Sequence, residues 1–575
     1  MTEFRSSTTL PPIPDDLSIP QFILDSKGFG RPPRSESSNW LIEDHTGRGI
    51  NHAELSRRTY GLANAMSLKW KIKEDDVVCI FSPNDVGYPV SVWAVHRLGA
   101  IVTPANPGYK VDELVHQLTV TKAALLIIHP AFLSTALSAA REVGIPDDRI
   151  VFIETPKGQG STTPHSTLDE LVELGSKSPA TFTERRFKPG EAKTKLAFLS
   201  FSSGTTGKPK AVAIAHYCVV ANVIQMATHY RINDPHHENK RMAPGDVAIA
   251  VLPFFHIYGL VVNLHYILFC GMSIVVIPKF NFSAFLESIV RHRITHLFIV
   301  PPQVVLLCKH PLVEKYDFCH VKYCMSGAAP LSGELMQQLN KVLPNASIGQ
   351  GYGLTETCTT ITMIPHTQKL ATIGSAGKLI PGIRARVVKP DGSLAAEGEQ
   401  GELVVTGPSM ALKYYNNEAA TKETFIDGWV RTGDEVIIRG GEVFIVDRLK
   451  EIMKVRGFQV APAELEGHLL LHPDVTDACV VSIPDDYSGE LPLAYIVMSE
   501  TVFRRISGNA EAAEELKAAL AKHVADAKVH YKHLTGGIEF IDAIPKNPSG
   551  KILRRLLRDE ARKLKVKKTE GRAKL

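Results

Sequence analysis

The sequence predicts an α/β protein: a large N-terminal domain of parallel sheets covered by helices, with a small barrel-like subdomain, followed by a small α+β C-terminal domain. Three observations carry this. From residue 75 short β-branched runs alternate with amphipathic segments, the pattern of parallel strands joined by helical crossovers. Near residue 385 the pattern gives way to β-rich runs around a Pro-Asp-Gly turn. After VFIVDRLK (443–450) a last segment has strands and helices of its own, so the domains are expected at 1–447 and 448–575.

Each element has its local reason. VVCIF (77–81) reads as a buried strand and VGYPVSVWAVHRLG (86–99) as a helix closed by its glycine. AIVTPA (100–105), ALLII (124–128) and RIVFIE (149–154) are further strands, with KVDELVHQLTVTKA (110–123) a helix between the first two. A second alternating stretch runs from about 245 to 350, with VAIAVLPF, SIVVIP, HLFIVP and YCMSG as strands. AEAAEELKAALAKHVA (510–525) is helical on propensity alone. The apolar stretch 251–278 has the length of a membrane span, but Pro253, His256, Asn263, His265 and Gly271 interrupt it. A strand, a buried helix and another strand are expected there, and no membrane span.

Bulk properties exclude other classes. At 575 residues the chain exceeds one compact core, and its 44% hydrophobic and 22% charged content is that of a globular protein. A net charge of +5 is small for this length, with the basic excess most visible in the last fifteen residues, which argues against a dedicated nucleic-acid binder, and none is expected as a partner. The eight cysteines show no CxxC pair and no zinc spacing, so they are expected as free thiols. No apolar segment of signal-peptide type opens the chain.

The segment LSFSSGTTGKPKAV (199–212) is the most informative. Two glycines, four hydroxyl side chains and two lysines fall within nine residues after an apolar strand, a composition that can cradle a polyphosphate. It is not a Walker A loop, because its glycines are three apart and Pro209 stands where a magnesium-binding hydroxyl would be. In QGYGLTET (350–357), Thr355 and Glu356 are read as lying at the end of a glycine-rich turn. A carboxylate beside a triphosphate is repelled unless magnesium lies between them, which makes Glu356 a candidate metal ligand. Asp434 in TGD can accept from two ribose hydroxyls and is also expected to be a turn residue. Lys551 in PSGK presents one ammonium group on a turn.

SSGTTGKPK closely resembles the AMP-binding signature of the adenylate-forming superfamily. PFFHIYG (253–259), SGAAPL (326–331), QGYGLTET, GWVRTGD (428–434), VDRLKEIMKVRGFQVAPAELE (446–466) and PKNPSGKILRR (545–555) follow in family order. The nearest resemblance is to the acyl-CoA synthetase and 4-coumarate–CoA ligase-like branch. GELVVTG (401–407) departs from the GEICIRG of many plant coumarate ligases, which leaves the acid open.

The resemblance implies an ATP-dependent acid–CoA ligase. Acid and ATP give acyl-AMP and pyrophosphate; a mobile C-terminal domain then rotates, and CoA takes the acyl group. It implies nucleotide contacts from Ser202, Ser203, Gly204, Thr205, Thr206, Lys210, Gln350, Gly351, Tyr352, Thr355, Asp434 and Arg448. Lys551 would serve adenylation, Glu356 would bind magnesium, and His256 would lie between the acid pocket and the CoA channel. Tyr258, Val262, Ala328, Gly351 and Met363 would line the acyl pocket. Lys450 would be the pivot, with Lys454 and Gln459 touching the adenylate, and Lys279, Arg456 and Gly457 meeting CoA. Many relatives carry lysine at position 456. The acid is expected to be aryl or medium-to-long-chain.

Three other readings stand beside this one. A peptide-synthetase unit would feed a carrier domain, and only 24 residues follow Lys551. A luciferase-like adenylating oxygenase would share every motif. A non-catalytic adenylate sensor would have no need of Lys551. The last three residues, Ala573-Lys574-Leu575, resemble a peroxisomal address, implying the import receptor as partner and a peroxisomal rather than cytoplasmic location.

Overall fold

The computed structural model describes the chain except residues 1–2, 155–163, 203–207, 233, 235–239, 486, 548–549 and 573–575, and the side chains of 564–572. Among the described residues the strands form sheets of seven, fifteen and five.

In the seven-stranded sheet, Val77–Phe81 lies between Ile101–Ala105 and Leu125–Ile128, all parallel, with Ile150–Phe152 beyond. The strand Leu196–Ser202 joins its other side and turns back antiparallel into Lys210–Ala215. Ser202 and Lys210, which flank the Gly/Ser/Thr segment in sequence, are register partners in that hairpin. The short strand Lys413–Tyr414 pairs along its outer edge.

The fifteen-stranded sheet changes character along its width. Asn39–Glu43, Ser273–Val276, Val247–Ala250, His296–Ile299, Tyr323–Ser326 and Ser347–Leu354 run parallel. From Ser347–Leu354 onward every pairing is antiparallel, through Thr359–Met363 and Ser375–Leu379 to Glu442–Arg448 and Trp429–Arg439. The β-rich subdomain is thus continuous with the parallel sheet, and Ser347–Leu354 is the seam between them.

Helices between the two large sheets are apolar on nearly all sides. Every residue of Gly87–Arg97 and of the π-helix Tyr258–Tyr266 is buried, as expected for helices covered on both faces. The stretch 251–278 therefore resolves into the expected buried helix between strands Val247–Ala250 and Ser273–Val276. Among the described residues no helix is long and apolar enough to cross a membrane.

The large sheet ends at Arg448, and Met453–Val455 begins the five-stranded sheet. The long hairpin Val475–Asp485/Gly489–Met498 dominates this sheet, and its strand Gly489–Met498 also pairs with Gly537–Phe540, in parallel, and with the small hairpin Met453–Val455/Phe458–Val460. Helices Pro462–Leu469 and Ala510–Ala527 pack against it around a separate core that includes Leu465, Leu469, Leu516 and Leu520.

Two local expectations are corrected. QGYGL is the end of a strand with a bulge after Tyr352, not a glycine-rich turn. A Cβ on Gly353 would stand 1.5 Å from the Thr359 carbonyl oxygen, so this glycine permits close strand approach rather than an unusual φ. Asp434 likewise lies within the strand Trp429–Arg439, opposite Arg448, and is not a turn residue.

Candidate active site

The seam strand ends in a 3₁₀ turn, Thr355–Thr357, fixed by the Thr357 hydroxyl, which accepts from the Leu354 amide at 3.0 Å. This turn presents Glu356 toward the hairpin Leu196–Ser202/Lys210–Ala215. The Tyr414 hydroxyl donates to Glu356 Oε1 at 2.8 Å, and Lys210 Nζ lies 4.9 Å from the centre of the Tyr414 ring. Ser202, Lys210 and Glu356 thus meet around an aromatic that no motif had singled out. Ser203, Gly204, Thr205 and Thr206 lie outside the described residues.

Beside them, Tyr352 donates its hydroxyl to Asp434 Oδ2 at 2.6 Å, and Arg448 Nε stands 3.5 Å from Asp434 Oδ1. Asp434 is 4% exposed. Burial raises its pKa, against the lowering pull of Arg448, the Tyr352 hydrogen bond and Lys551. Burial, with Asp434 adding to it, holds the Tyr352 phenol well above its ordinary range. Gln350 has a different employment: its Oε1 accepts from the Leu331 amide at 2.7 Å and its Nε2 donates to the Ser375 carbonyl at 3.2 Å. It braces the SGAAPL loop against the seam strand.

Lys551 reaches this centre from the small domain. Burial, reinforced by the Arg448 charge, brings its ammonium down to about 8, against the opposing fields of Glu451, Asp434 and Glu356. Its backbone amide donates to Asn547 Oδ1 at 2.9 Å, and Gly550 packs on Val300, whose Cγ2 lies 3.0 Å from the position a Cβ would take. Burial, then the Lys551 charge, lowers His256 to about 4, so this imidazole is neutral near pH 7. Lys551, His256, Glu356, Asp434 and Arg448 therefore share one electrostatic neighbourhood.

Of the residues expected to line an acyl pocket, Tyr258, Gly351 and Met363 come together around Met325. Gly327 faces the Tyr258 ring, and a Cβ there would lie 2.9 Å from Tyr258 Cε1. The Tyr258 hydroxyl donates to the Met325 carbonyl at 3.4 Å. Gly351 is the cross-strand partner of Met363 and leaves room for Met325, whose sulfur would be 3.0 Å from a Cβ. Val262 and Met363 are fully buried, whereas Ala328 is exposed and held at a φ of 68°.

Other assigned residues stand apart. Lys454, Arg456, Gly457 and Gln459 are exposed on the hairpin Met453–Val455/Phe458–Val460. Arg456 stacks over Tyr487 at 5.5 Å, and Gln459 accepts from Gln400 at 3.1 Å. Lys450 and Lys279 are exposed as well.

The sequence reading also missed a buried ionic bracket. Arg554, three residues after Lys551, donates to Glu451 at 2.7 Å and to Glu466 at 2.5 Å, all three side chains at most 12% exposed. An arginine in a basic run gives no sign of buried partners a hundred residues away.

Among protein families, the AMP-binding enzyme model matches residues 31–415 and the AMP-binding enzyme C-terminal domain model matches 464–551. The chain belongs to the AMP-binding enzymes. It is 33% identical to Acyl-CoA ligase easD of Emericella nidulans, over 95% of this chain and 97% of that one. It is 35% identical to 4-coumarate–CoA ligase 2 of Oryza sativa subsp. japonica, over 97% and 95% of the two chains. This AMP-binding enzyme also shares its fold with the anthranilate CoA ligase AuaEII solved with anthranoyl-AMP. That match has a TM-score of 0.81 at 22% identity, covering 96% and 99% of the two chains. The Lys551 loop falls at the end of the C-terminal family match, and the strand pair bearing Asp434 and Arg448 lies between the two matches.

Proposed function

We propose that this AMP-binding enzyme is an AMP-forming acid–CoA ligase, and that residues 1–447 and 448–575 act as its two working bodies. The carrying observation is Lys551, brought from the small domain among Asp434, Arg448, Glu356 and His256. The acyl-CoA and 4-coumarate–CoA ligase relatives support the reading over nearly the full chain.

In the first half-reaction the acid carboxylate attacks the α-phosphorus of ATP, and the bond to pyrophosphate breaks. The Lys551 ammonium offsets the charge gathering on the α-phosphate, while Asp434 and Arg448 hold the ribose and Tyr352 and Gly351 flank the adenine. Ser202, Lys210 and the 203–206 residues take the β- and γ-phosphates, with Thr355 beside them. In the second half-reaction the CoA thiolate attacks the acyl carbonyl and AMP leaves. The small domain turns about Lys450, bringing Lys454 and Gln459 to the adenylate and Arg456 and Gly457 to CoA, with Lys279 a further CoA contact. Catalysis is then positioning and electrostatics, without a covalent enzyme intermediate.

Magnesium suits this site on the chemistry of its donors. Among the described residues no three metal-ligating side chains cluster, and Glu356 offers a carboxylate beside the phosphate-loop hairpin. An ion held by one carboxylate and the substrate's own phosphates is the usual magnesium arrangement, and it supplies charge neutralisation of the polyphosphate.

For the acid we favour a flat aryl carboxylate. The 4-coumarate–CoA ligase relatives support this, and Gly327 and Gly351 let the Tyr258 ring and Met325 lie directly against the backbone, with Val262 and Met363 fully buried. The last residues, Ala573-Lys574-Leu575, lie outside the described residues and carry the further proposal of peroxisomal import. Adding one residue after Leu575 should abolish that import, and unchanged import would refute it.

The test of the activity is turnover of the purified chain with Mg-ATP, CoA and panels of aryl, medium-chain and long-chain acids, read by mass spectrometry. AMP with an aryl-CoA thioester supports the full reading, while alkyl thioesters alone would overturn the choice of acid. Pyrophosphate release without thioester would point to another acceptor, oxygen-dependent light emission to a luciferase-like enzyme, and no turnover to an adenylate sensor.

A further inference from the structure

The helix Pro301–Lys309 touches the small domain at both ends. At its start, Val300 and Pro302 pack on Gly550, next to Lys551. At its end, Lys309 Nζ donates to two small-domain carbonyls, Leu470 at 2.6 Å and Val475 at 2.7 Å. Leu470 is the C-cap of the helix Pro462–Leu469, where helical carbonyls lack intrahelical donors and carry partial negative charge. The two carbonyls are its only hydrogen-bond partners among the described residues, and no carboxylate pairs with it. The Leu470 side chain packs against the cores of both bodies.

We propose that Lys309 is a positioning residue that latches the small domain in the orientation holding Lys551 in the active site. This rests on the two-orientation ligase reading given above. Both contacts lie along one rigid helix of the large domain, so a movement that withdraws Lys551 also strips Leu470 and Val475 from Lys309. Among the described residues no hydrogen bond joins the exposed hairpin with Lys454 and Gln459 to this helix. Lys309 therefore favours adenylation over thioester formation without touching substrate. Two charge-assisted hydrogen bonds are enough to shift such an orientation balance by about tenfold.

The orientation has a built-in reporter. A Cβ on Gly467 would lie 3.3 Å from Ser332 Cβ across the domain boundary, close to the separation a disulfide bridges. A Ser332→Cys/Gly467→Cys protein should cross-link readily on mild oxidation, and adding Lys309→Met should slow cross-linking about tenfold. In single-turnover assays Lys309→Met should slow acyl-adenylate formation by a similar factor and leave thioester formation from preformed acyl-adenylate undiminished. Lys309→Arg should restore both readouts. Unchanged cross-linking, or equal losses in the two half-reactions, would overturn the latch. An unsubstituted chain that forms no acyl-adenylate would instead overturn the ligase reading, and the cross-linking rate would still decide the role of Lys309.

Discussion

The Tyr414 hydroxyl donates to Glu356 Oε1 at 2.8 Å, joining residues 58 apart in sequence. Tyr414 arrives on a two-residue strand along the edge of Lys210–Ala215, so the hydrogen bond fixes the carboxylate relative to that strand. Tyr414→Phe should leave folding intact and lower adenylation about tenfold, the scale of one hydrogen bond to a charged group. The magnesium concentration needed for half-maximal pyrophosphate release should rise with it. An unchanged magnesium requirement would mean that Tyr414 only packs.

Lys551 should impose an alkaline limb on adenylation. In the proposed mechanism its ammonium form is the working form, and burial with Arg448 brings its pKa down to about 8. Below that pH the ammonium is present; above it the apparent kcat/KM for ATP should fall about tenfold per pH unit. Lys551→Arg should be slower but lack this limb, and Lys551→Ala should suppress adenylation while sparing thioester formation from preformed acyl-adenylate. Pyrophosphate release followed from pH 6.5 to about 9.5 checks the sign.

The core should be acid-sensitive. Burial lowers His96 to about 3 and His229, His265 and His296 to about 4, and His216 well below its ordinary value. Between those values and roughly 6.5 the unfolded chain binds protons that the native state refuses, so stability is complete above that window and falls as pH drops through it. At pH 5 the loss is up to ~2 kcal/mol per histidine. Denaturant midpoints at pH 7.5, 6 and 5 should fall in that order, and a flat series would contradict the assignment.

Arg554→Met should cost the small domain about 3–5 kcal/mol, because Glu451 and Glu466 would be left buried without their cation. Limited proteolysis should then cut within residues 448–575 while the large domain resists. Combining it with Glu451→Gln and Glu466→Gln should restore much of the resistance. If Arg554→Met alone leaves the cleavage pattern unchanged, the bracket is dispensable.

Much of the architecture was legible because buried parallel strands are written as short β-branched runs. VVCIF, ALLII and HLFIVP all became central strands. The glycines of QGYGL misled, since Gly353 serves the approach of the Thr359 carbonyl and turn chemistry leaves a similar mark. The site's motif residues were legible by type, but their bracing was not. Arg554 and Glu451 lie 103 residues apart, and Lys309 and Leu470 lie 161 apart. Neither pair leaves a local pattern, because only the folded topology makes them neighbours. Strand Asn39–Glu43 had no crossover rhythm around it and went unread.

The seam strand Ser347–Leu354 has one more consequence. It is hydrogen-bonded on both sides and leads directly into Glu356, so the surfaces that would recognise acid and nucleotide share the rigidity of the main core. Lys551 belongs to a body with its own sheet and its own core. On the proposed mechanism, choice of substrate and tempo of catalysis lie on separate pieces. Exchanging residues 448–575 for those of a relative should reset how fast this enzyme works while preserving which acid it accepts.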